Sequence, residues 1–327
     1  MADALIAIDV GGTKLAAGVV SPRGEVVARA RRSTPPVRDG EAIYSILLEV
    51  VTEAIQQAGD GWSLQCVGVG SGGPMNLREG LVSPLNMPGW RDFPLVARLR
   101  ADLRLPVVLD NDAKAFALGE YLFGAGEGHP DMMGVVVSTG VGGGVITSGR
   151  LLHGRTQNAG HVGHQVAEPD GPRCLCGGYG CVEAIASGPS IVRLLRAQLD
   201  QGRASVLRDI PGDRLTAQMV AEAARDGDAL AIESFERAGR ALGVGFGGAA
   251  ALLDIDLIVL GGGVSHAGDL LLVPLRETLS RHSGLEFIHR QLQVVPSHNA
   301  LDAGLVGAAA LALHDSPALA ASKPSKD

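Results

Sequence analysis

Short apolar segments typical of buried strands alternate with segments of helical periodicity along this chain of 327 residues. The segment 4–10 (ALIAIDV) is the first predicted strand, and the segments 15–21 and 24–33 follow as two more. The segment 41–59 then carries apolar residues at helical spacing and ends at a glycine. The same order begins again at residue 132. This repetition predicts an α/β fold of two similar lobes with a central cleft.

Composition narrows the class of protein. With 46% hydrophobic and 19% charged residues, the chain matches an ordinary globular enzyme. A formal net charge of -7 argues against a nucleic-acid partner. No apolar run reaches the roughly 20 residues that a membrane span needs, so we expect no membrane partner. The opening MADALIAIDV has no secretory pattern, and we therefore expect a cytoplasmic protein with reduced thiols.

A loop rich in Gly and Pro, at 164–183, carries three thiols and an imidazole. These four groups can complete a tetrahedral zinc site, formed by His164, Cys174, Cys176 and Cys181. Unliganded thiols or disulfides are the alternative. A bridge between Cys174 and Cys176 would be strained, because a single residue separates them. Cys66 lies far away in an apolar segment and is interpreted as a core residue.

Three glycine clusters each follow an apolar strand, and such turns expose backbone N–H groups that can bind phosphate. The candidate nucleotide-binding residues are Asp9, Gly11, Gly12, Thr13, Lys14, Thr139, Gly140, Gly261 and Gly262. Asp9 could hold a magnesium ion through water. None of the clusters is a Walker A motif, and the middle one, GVGGGV, lies between two strands rather than opening a helix. Each alone could be an ordinary hairpin turn.

Polar residues beside these turns are candidates for catalysis and sugar binding. Asp112 ends the predicted strand 105–112 and could accept a proton from an attacking hydroxyl, although it could equally be a helix N-cap. Asn111 offers both a donor and an acceptor to a polyol. The segment 83–90 supplies Asn86 and an aromatic face. Glu183, two residues after the last thiol, would be aimed by a metal-bound loop, or could be a solvent carboxylate starting a helix.

Taken together, several motifs resemble the ROK family (repressors, open reading frames, kinases), in particular its glucokinase-like bacterial hexokinases. They are DVGGTK, SPLNMPGW, LDNDA, STGVGGG, GH followed by CLCGGYGCVE, and VLGGG. The resemblance implies the two-lobed, actin-like ATPase (ribonuclease H-like) fold, usually as a homodimer. It implies transfer of a phosphoryl group from Mg·ATP to a hexose, commonly at the 6-hydroxyl.

The resemblance also implies residue roles. Asp112 would be the general base, and the sugar ligands would be Asn86, Asn111, Asp112, His164 and Glu183. His164 would serve both sites, with one ring nitrogen on zinc and the other on a sugar hydroxyl. The four zinc ligands would leave the ion no open position, so its role would be structural.

One departure bears on the choice of sugar. Family kinases carry Glu-x-Gly-His before the metal loop, whereas this chain has His161 in place of the Glu. A carboxylate accepts bonds from two hydroxyls, but a neutral imidazole accepts one and donates one. Glucose is favoured, while mannose, fructose and N-acetylhexosamines stay open, as does the anomer. His161 could also replace His164 on the metal.

The expected lobes are 1–115, completed by a closing helix at 302–314, and 116–301 with the metal loop. The segment 315–327 is expected to be a disordered tail.

Three alternative functions remain open. A DNA-binding repressor of the same family would need a helix-turn-helix domain before the first strand, and that strand starts at about Ala4. A sugar-binding member without catalysis and a kinase that uses polyphosphate are the other two.

Overall fold

The computed structural model describes residues 1–281, 284–298 and 302–314. The chain divides into two compact units, Met1–Gly128 with His298–Asp327, and His129–Ser297. The division falls after Gly128, whereas the sequence placed the lobe boundary at residues 115 and 116. The difference arises because one continuous helix, Asp112–Phe123, packs against the closing helix Ala303–His314 and stays in the first unit. The expected tail, 315–327, lies outside the described residues.

The first unit is built on a five-stranded sheet of order β3-β2-β1-β4-β7. The pairs β1–β2 and β2–β3 are antiparallel, whereas β1–β4 and β4–β7 are parallel. Its elements are β1 (Ala2–Val10), β2 (Lys14–Val20), β3 (Val26–Ser33), α1 (Gly40–Ala58), β4 (Trp62–Ser71), β5 (Met75–Asn76), β6 (Leu81–Val82), α2 (Leu95–Leu103), β7 (Val107–Asn111), α3 (Asp112–Phe123) and α9 (Ala303–His314).

Helices cover both faces of this sheet, which explains why its central strand is apolar and buried from Ala4 to Ile8. Side chains alternate between the two faces of a strand. Leu5 and Ala7 of β1 pack in a cluster with residues of α9, and Ile6 and Ile8 pack in another with residues of α1. Burial on both faces removes the polar alternation of a half-exposed strand.

The second unit repeats the plan, with a five-stranded sheet of order β10-β9-β8-β11-β12. The pairs β8–β9 and β9–β10 are antiparallel, and β8–β11 and β11–β12 are parallel. The prediction of two similar lobes is therefore confirmed at the level of topology. The elements are β8 (Met132–Val137), β9 (Val141–Thr147), β10 (Arg150–Leu151), α4 (Val182–Ala186), α5 (Gly188–Asp200), α6 (Ala217–Arg225), α7 (Ala229–Leu253), β11 (Leu257–Gly261), α8 (Asp269–Ser280) and β12 (Gln293–Pro296).

The helix α7 is unbroken over 25 residues despite its glycines. Two of them lie where α8 comes very close: a Cβ at Gly239 would lie 2.5 Å from the carbonyl oxygen of Leu271, and one at Gly243 would lie 2.8 Å from that of Leu275. Packing against α8 thus offsets the roughly 1 kcal/mol that each glycine costs a helix relative to alanine. Neither α7 nor any other helix in the described part of the chain is long and apolar enough to cross a membrane.

Candidate active site

The predicted site residues fall into two groups, one in each unit. The first unit holds Asp9, Gly11, Gly12, Thr13, Lys14, Asn86, Asn111 and Asp112. The second holds Thr139, Gly140, His161, His164, Cys174, Cys176, Cys181, Glu183, Gly261 and Gly262. Within each group, residues from distant parts of the sequence meet.

The junction of β7 and α3 positions Asn111 and Asp112. Asn111 is the N-cap of α3, and its Oδ1 accepts a hydrogen bond from the Ala113 N–H at 3.1 Å. A small polar side chain at this position satisfies a backbone donor that the helix leaves free. Asp112 is the first helical residue rather than the cap, and its side chain is exposed. The capping role that the sequence left open for Asp112 therefore belongs to Asn111.

The carboxyl of Asp112 is a better proton acceptor than an ordinary aspartate. Although one side of the residue is open to solvent, protein atoms crowd the carboxyl, and this desolvation raises its pKa. The negative charge of Asp9 raises the pKa of Asp112 further, and the Ala113 N–H opposes the shift. Burial also raises the pKa of Asp9, against the opposing effect of Lys14, whose Nζ lies 3.4 Å from Oδ2 of Asp9.

The first glycine turn connects β1 to β2. Gly11 donates its N–H to the carbonyl oxygen of Lys14 at 2.9 Å, which closes a tight hairpin. A Cβ at Gly12 would lie 2.5 Å from Cβ of Asn86, so the side chain of Asn86 lies directly against this turn. The structure thereby brings together a predicted phosphate-binding residue and a predicted sugar-binding residue that are far apart in sequence.

The aromatic face expected in the segment 83–90 is not available. Trp90 is fully buried, stacks on Phe93 with ring centroids 4.7 Å apart, and donates its indole N–H to the carbonyl oxygen of Gly40 at 3.0 Å. The sequence indicated an aromatic face at a binding surface. Trp90 is a core residue instead, because its N–H finds a backbone acceptor inside the unit.

The second and third glycine turns line one cavity of about 930 Å³ in the second unit. Thr139 belongs to the turn between β8 and β9, and Gly263 follows β11. Gly262 has φ +91°, and a Cβ there would lie 2.3 Å from the carbonyl oxygen of Val137, so only glycine fits. Val192 and Leu215 provide apolar walls.

Sequence reasoning missed the basic residues of this cavity. Arg193, Arg196, Arg225 and His266 line it, and they come from α5, α6 and the 3₁₀ turn Gly263–Ala267. The guanidinium of Arg225 also donates to the carbonyl oxygen of His266 at 3.0 Å. On an amphipathic helix such residues look like an ordinary solvated face, so the sequence carried no signal for them.

The four predicted metal ligands converge. One ligand atom from each of His164, Cys174, Cys176 and Cys181 lies within 4.8 Å of the others. The Sγ atoms of Cys176 and Cys181 are 3.7 Å apart, and Nδ1 of His164 is 3.8 Å from Sγ of Cys174. Tetrahedral zinc with Zn–S bonds of about 2.3 Å requires S···S separations of about 3.8 Å, so the donor set fits this ion. All four cysteines of the chain are free thiols, which excludes the disulfide alternative.

The loop that carries these ligands folds as a small hairpin. Cys174 donates its N–H to the carbonyl oxygen of Gly178 at 2.8 Å, and Gly177 donates to that of Cys174 at 3.0 Å. Cys174 and Cys181 are buried, and burial raises the pKa of Cys181 to about 12. Without a cation this thiol is therefore neutral, and a bound divalent ion would favour its thiolate.

His161 lies beside His164, with ring centroids 5.9 Å apart, but it is not one of the four converging residues. The geometry thus favours His164 over His161 as the ligand. Because Nδ1 of His164 faces Cys174, Nε2 lies on the opposite side of the ring.

Glu183 lies in the first turn of α4, two residues after Cys181. Its Oε2 accepts a hydrogen bond from the Val141 N–H at 2.9 Å. The sequence anticipated a sugar ligand or a solvent carboxylate, and gave no indication of this bond to the second glycine turn.

Comparison with known proteins places these features in a family. The sequence model of the ROK family matches residues 5–315. A glucokinase of Thermotoga maritima is 37% identical over 311 residues, covering 94% of this chain and 96% of the relative. An N-acetylmannosamine kinase of Yersinia pseudotuberculosis is 34% identical over 304 residues, covering 93% and 96%.

A crystal structure of a ROK family glucokinase from Streptomyces griseus, in complex with glucose and AMPPNP, matches with a TM-score of 0.78. It is 36% identical and covers 94% of this chain and 99% of that one. The predicted actin-like ATPase fold is confirmed by this likeness. With a family match over nearly its whole length, the chain belongs to the ROK family.

Proposed function

We propose that this protein is an ATP-dependent hexose kinase that phosphorylates the 6-hydroxyl of its sugar, with glucose as the favoured substrate. The observation that carries the proposal is Asp112, an accessible carboxylate with a raised pKa at the first position of α3. Such a group is suited to accept a proton from an alcohol. The glucokinase relatives from Thermotoga maritima and Streptomyces griseus support the choice of sugar.

In the proposed reaction a sugar hydroxyl oxygen attacks the γ-phosphorus of ATP. The new O–P bond forms as the bond to the β,γ-bridging oxygen breaks, ADP leaves with that electron pair, and Asp112 takes the hydroxyl proton and releases it to solvent. Asn86, Asn111, His164 and Glu183 would bind the sugar hydroxyls. A magnesium ion held through water by Asp9 would neutralise charge on the phosphates.

The cavity in the second unit supports a nucleotide as the phosphoryl donor. Its apolar walls, including Val192, Leu215 and Val264, suit a base, whereas a polyphosphate chain offers nothing for them to bind. We assign Thr139, Gly140, Gly261 and Gly262 to the nucleotide, and likewise Gly11, Gly12, Thr13 and Lys14 of the first unit. Lys14 supplies the positive charge in that turn.

We further propose that His164, Cys174, Cys176 and Cys181 hold a structural zinc ion, which would stiffen the loop without contacting the reacting atoms. Metal analysis of the purified protein should give one zinc per chain. We also propose a cytoplasmic homodimer, which light scattering coupled to gel filtration would measure.

The position of His161 makes an N-acetylhexosamine the second candidate substrate, followed by mannose and fructose. An imidazole can donate to an acetamide carbonyl oxygen, which a carboxylate cannot do. The similarity to the Yersinia pseudotuberculosis N-acetylmannosamine kinase supports this alternative. Steady-state ADP release on a panel of hexoses and N-acetylhexosamines would choose among them.

The role of Asp112 is tested with Asp112→Asn. We expect this variant to keep its fold and metal content while turnover falls by at least two orders of magnitude, the usual size of a lost general base. Turnover within a few-fold of the unmodified enzyme would exclude Asp112 as the base. Absence of ADP release with every sugar would reject the kinase itself.

A further inference from the structure

The turn between β8 and β9 is held from outside by a carboxylate of the metal loop segment. Oε2 of Glu183 accepts the Val141 N–H at 2.9 Å. A Cβ at Gly140 would lie 2.7 Å from the same oxygen, so the carboxylate lies directly against the turn. On its other side, the carbonyl oxygen of Ser138 accepts the Gly188 N–H at 2.8 Å. Both ends of the turn are therefore bonded to the segment that contains α4 and the start of α5.

The segment that carries Glu183 is in turn fixed at the metal ligands. Val182, between Cys181 and Glu183, is fully buried, and its N–H donates to the carbonyl oxygen of Gln165 at 2.9 Å. Gln165 directly follows the ligand His164. Backbone bonds thus tie Glu183 to ligands from both ends of the loop, and a bound ion would hold those ends together.

We propose that Glu183 is a positioning residue for the nucleotide-binding turn, and that the metal loop sets its place. This inference rests on the proposed function, because it assigns Thr139 and Gly140 to the phosphates. A phosphate-binding turn works when its N–H groups are already oriented before the ligand arrives. The bond to Glu183 occupies the Val141 N–H and fixes the orientation of the neighbouring peptide groups. The metal therefore acts on ATP affinity through Glu183.

Substitutions of Glu183 separate this role from sugar binding. The affinity of the zinc-loaded, full-length chain for AMPPNP, in the absence of sugar, should fall about tenfold in Glu183→Ala, which corresponds to about 1.4 kcal/mol, because the turn loses the hydrogen bond that orients it. Glu183→Gln keeps an oxygen acceptor and should stay within about threefold. Glu236→Ala, which removes an exposed carboxylate on α7, serves as the matched control.

A residue that only binds sugar would give a different pattern. The sugar KM would rise in Glu183→Ala, while AMPPNP affinity without sugar would stay within twofold of the unmodified protein. That result would overturn the inference. Metal content and thermal unfolding are measured for each variant to identify any that fails to fold. If Glu183→Ala fails to fold, the AMPPNP affinity and sugar KM of Glu183→Gln are compared with those of the unmodified protein instead.

Amide exchange provides a readout that is independent of nucleotide binding. We expect the Val141 amide to exchange at least tenfold faster in Glu183→Ala, and also after a chelator removes the metal from the unmodified protein. Removing the metal from Glu183→Ala should add little more. Unchanged protection in both cases would reject the coupling. If the unmodified protein failed to bind AMPPNP or transfer phosphate while this exchange pattern held, the proposed function alone would fail.

Discussion

The buried ion pair between Lys114 and Asp110 gives a sharp prediction about stability. Nζ of Lys114 lies 3.4 Å from Oδ1 of Asp110, and the two side chains are only 2% and 3% exposed. Oδ1 of Asp110 also accepts the Asn111 N–H at 2.7 Å, so the pair supports the junction that positions Asp112. Replacing Lys114 by Met keeps the apolar stem and removes the charge, which leaves Asp110 buried opposite an uncharged side chain.

The burial of the ion pair decides how much free energy of unfolding is lost when the pair is broken. The pair Arg240–Glu236 on α7 has the same spacing and the same 3.4 Å distance, but each side chain is 46% exposed. Breaking an exposed pair of this kind costs about 0.3–0.5 kcal/mol. Removing one member of a buried ion pair costs about 3–5 kcal/mol. We therefore expect Lys114→Met to lower the free energy of unfolding of the first unit by about 3–5 kcal/mol.

Tryptophan fluorescence during urea unfolding provides the assay, since both tryptophans, Trp62 and Trp90, belong to the first unit. With an m-value of about 1–3 kcal/mol/M, the midpoint should fall by at least roughly 1 M. Arg32→Met, which breaks an exposed pair with Glu53 in the same unit, is the control and should shift the midpoint little. The double variant Asp110→Asn/Lys114→Met should recover much of the loss. A loss below about 1 kcal/mol in Lys114→Met would refute the reasoning that burial sets the cost.

Three further predictions follow from the site. The pKa of Asp112 is raised, and this carboxyl must be deprotonated to act as a base. As the pH is lowered, kcat/KM should therefore begin to fall at a higher pH than it would with an ordinary aspartate, whose pKa is near 3.9. A pH–rate profile with its acid limb at the ordinary value would contradict this. Gly262→Ala should raise the KM for ATP and lower stability by at least about 1–2 kcal/mol, because φ is +91° there. Gly263→Ala, where a Cβ meets no protein atom within 4 Å, should keep the stability of the unmodified protein, as urea unfolding would show. Cys176→Ser should lose metal and unfold at a lower temperature in a thermal scan, and an unchanged metal content would remove this residue from the ligand set.

Much of the fold could be predicted from the sequence, because local signals and tertiary structure agree. The first strand is apolar on both faces from Ala4 to Ile8 and is followed by glycines, and α1 begins after Asp39, whose side chain accepts the N–H groups of Glu41 and Ala42. The boundary between the two units was harder to predict from the sequence. It depends on the packing of α3 against α9, which are far apart in sequence, and no local pattern records such a contact.

In the candidate site, too, residues with a local sequence signal could be predicted, and residues brought together only by tertiary packing could not. The four residues that could hold a metal could be found because these rare side chains lie in one short loop, and their convergence needed little knowledge of the fold. The cavity residues Arg193 and Arg225 could not, since each looks like a solvated helix residue until α5 and α6 are placed beside the glycine turns. The bond from Glu183 to Val141 was hidden for the same reason, because it joins a loop to a turn about 40 residues away.

The two sheets share one strand order, but their equivalent positions carry different chemistry. In the first unit, β1 carries Asp9 near its end and β7 leads into Asp112, so acids occupy the ends of the parallel strands. In the second unit the equivalent strands are β8, which leads into Thr139, and β12, which ends at Pro296. Strand topology fixes where a turn lies, and the side chains in the turn decide what it binds. The duplicated plan therefore provides the same turns twice, with the carboxyl of Asp112 in one copy and an apolar, arginine-lined cavity in the other.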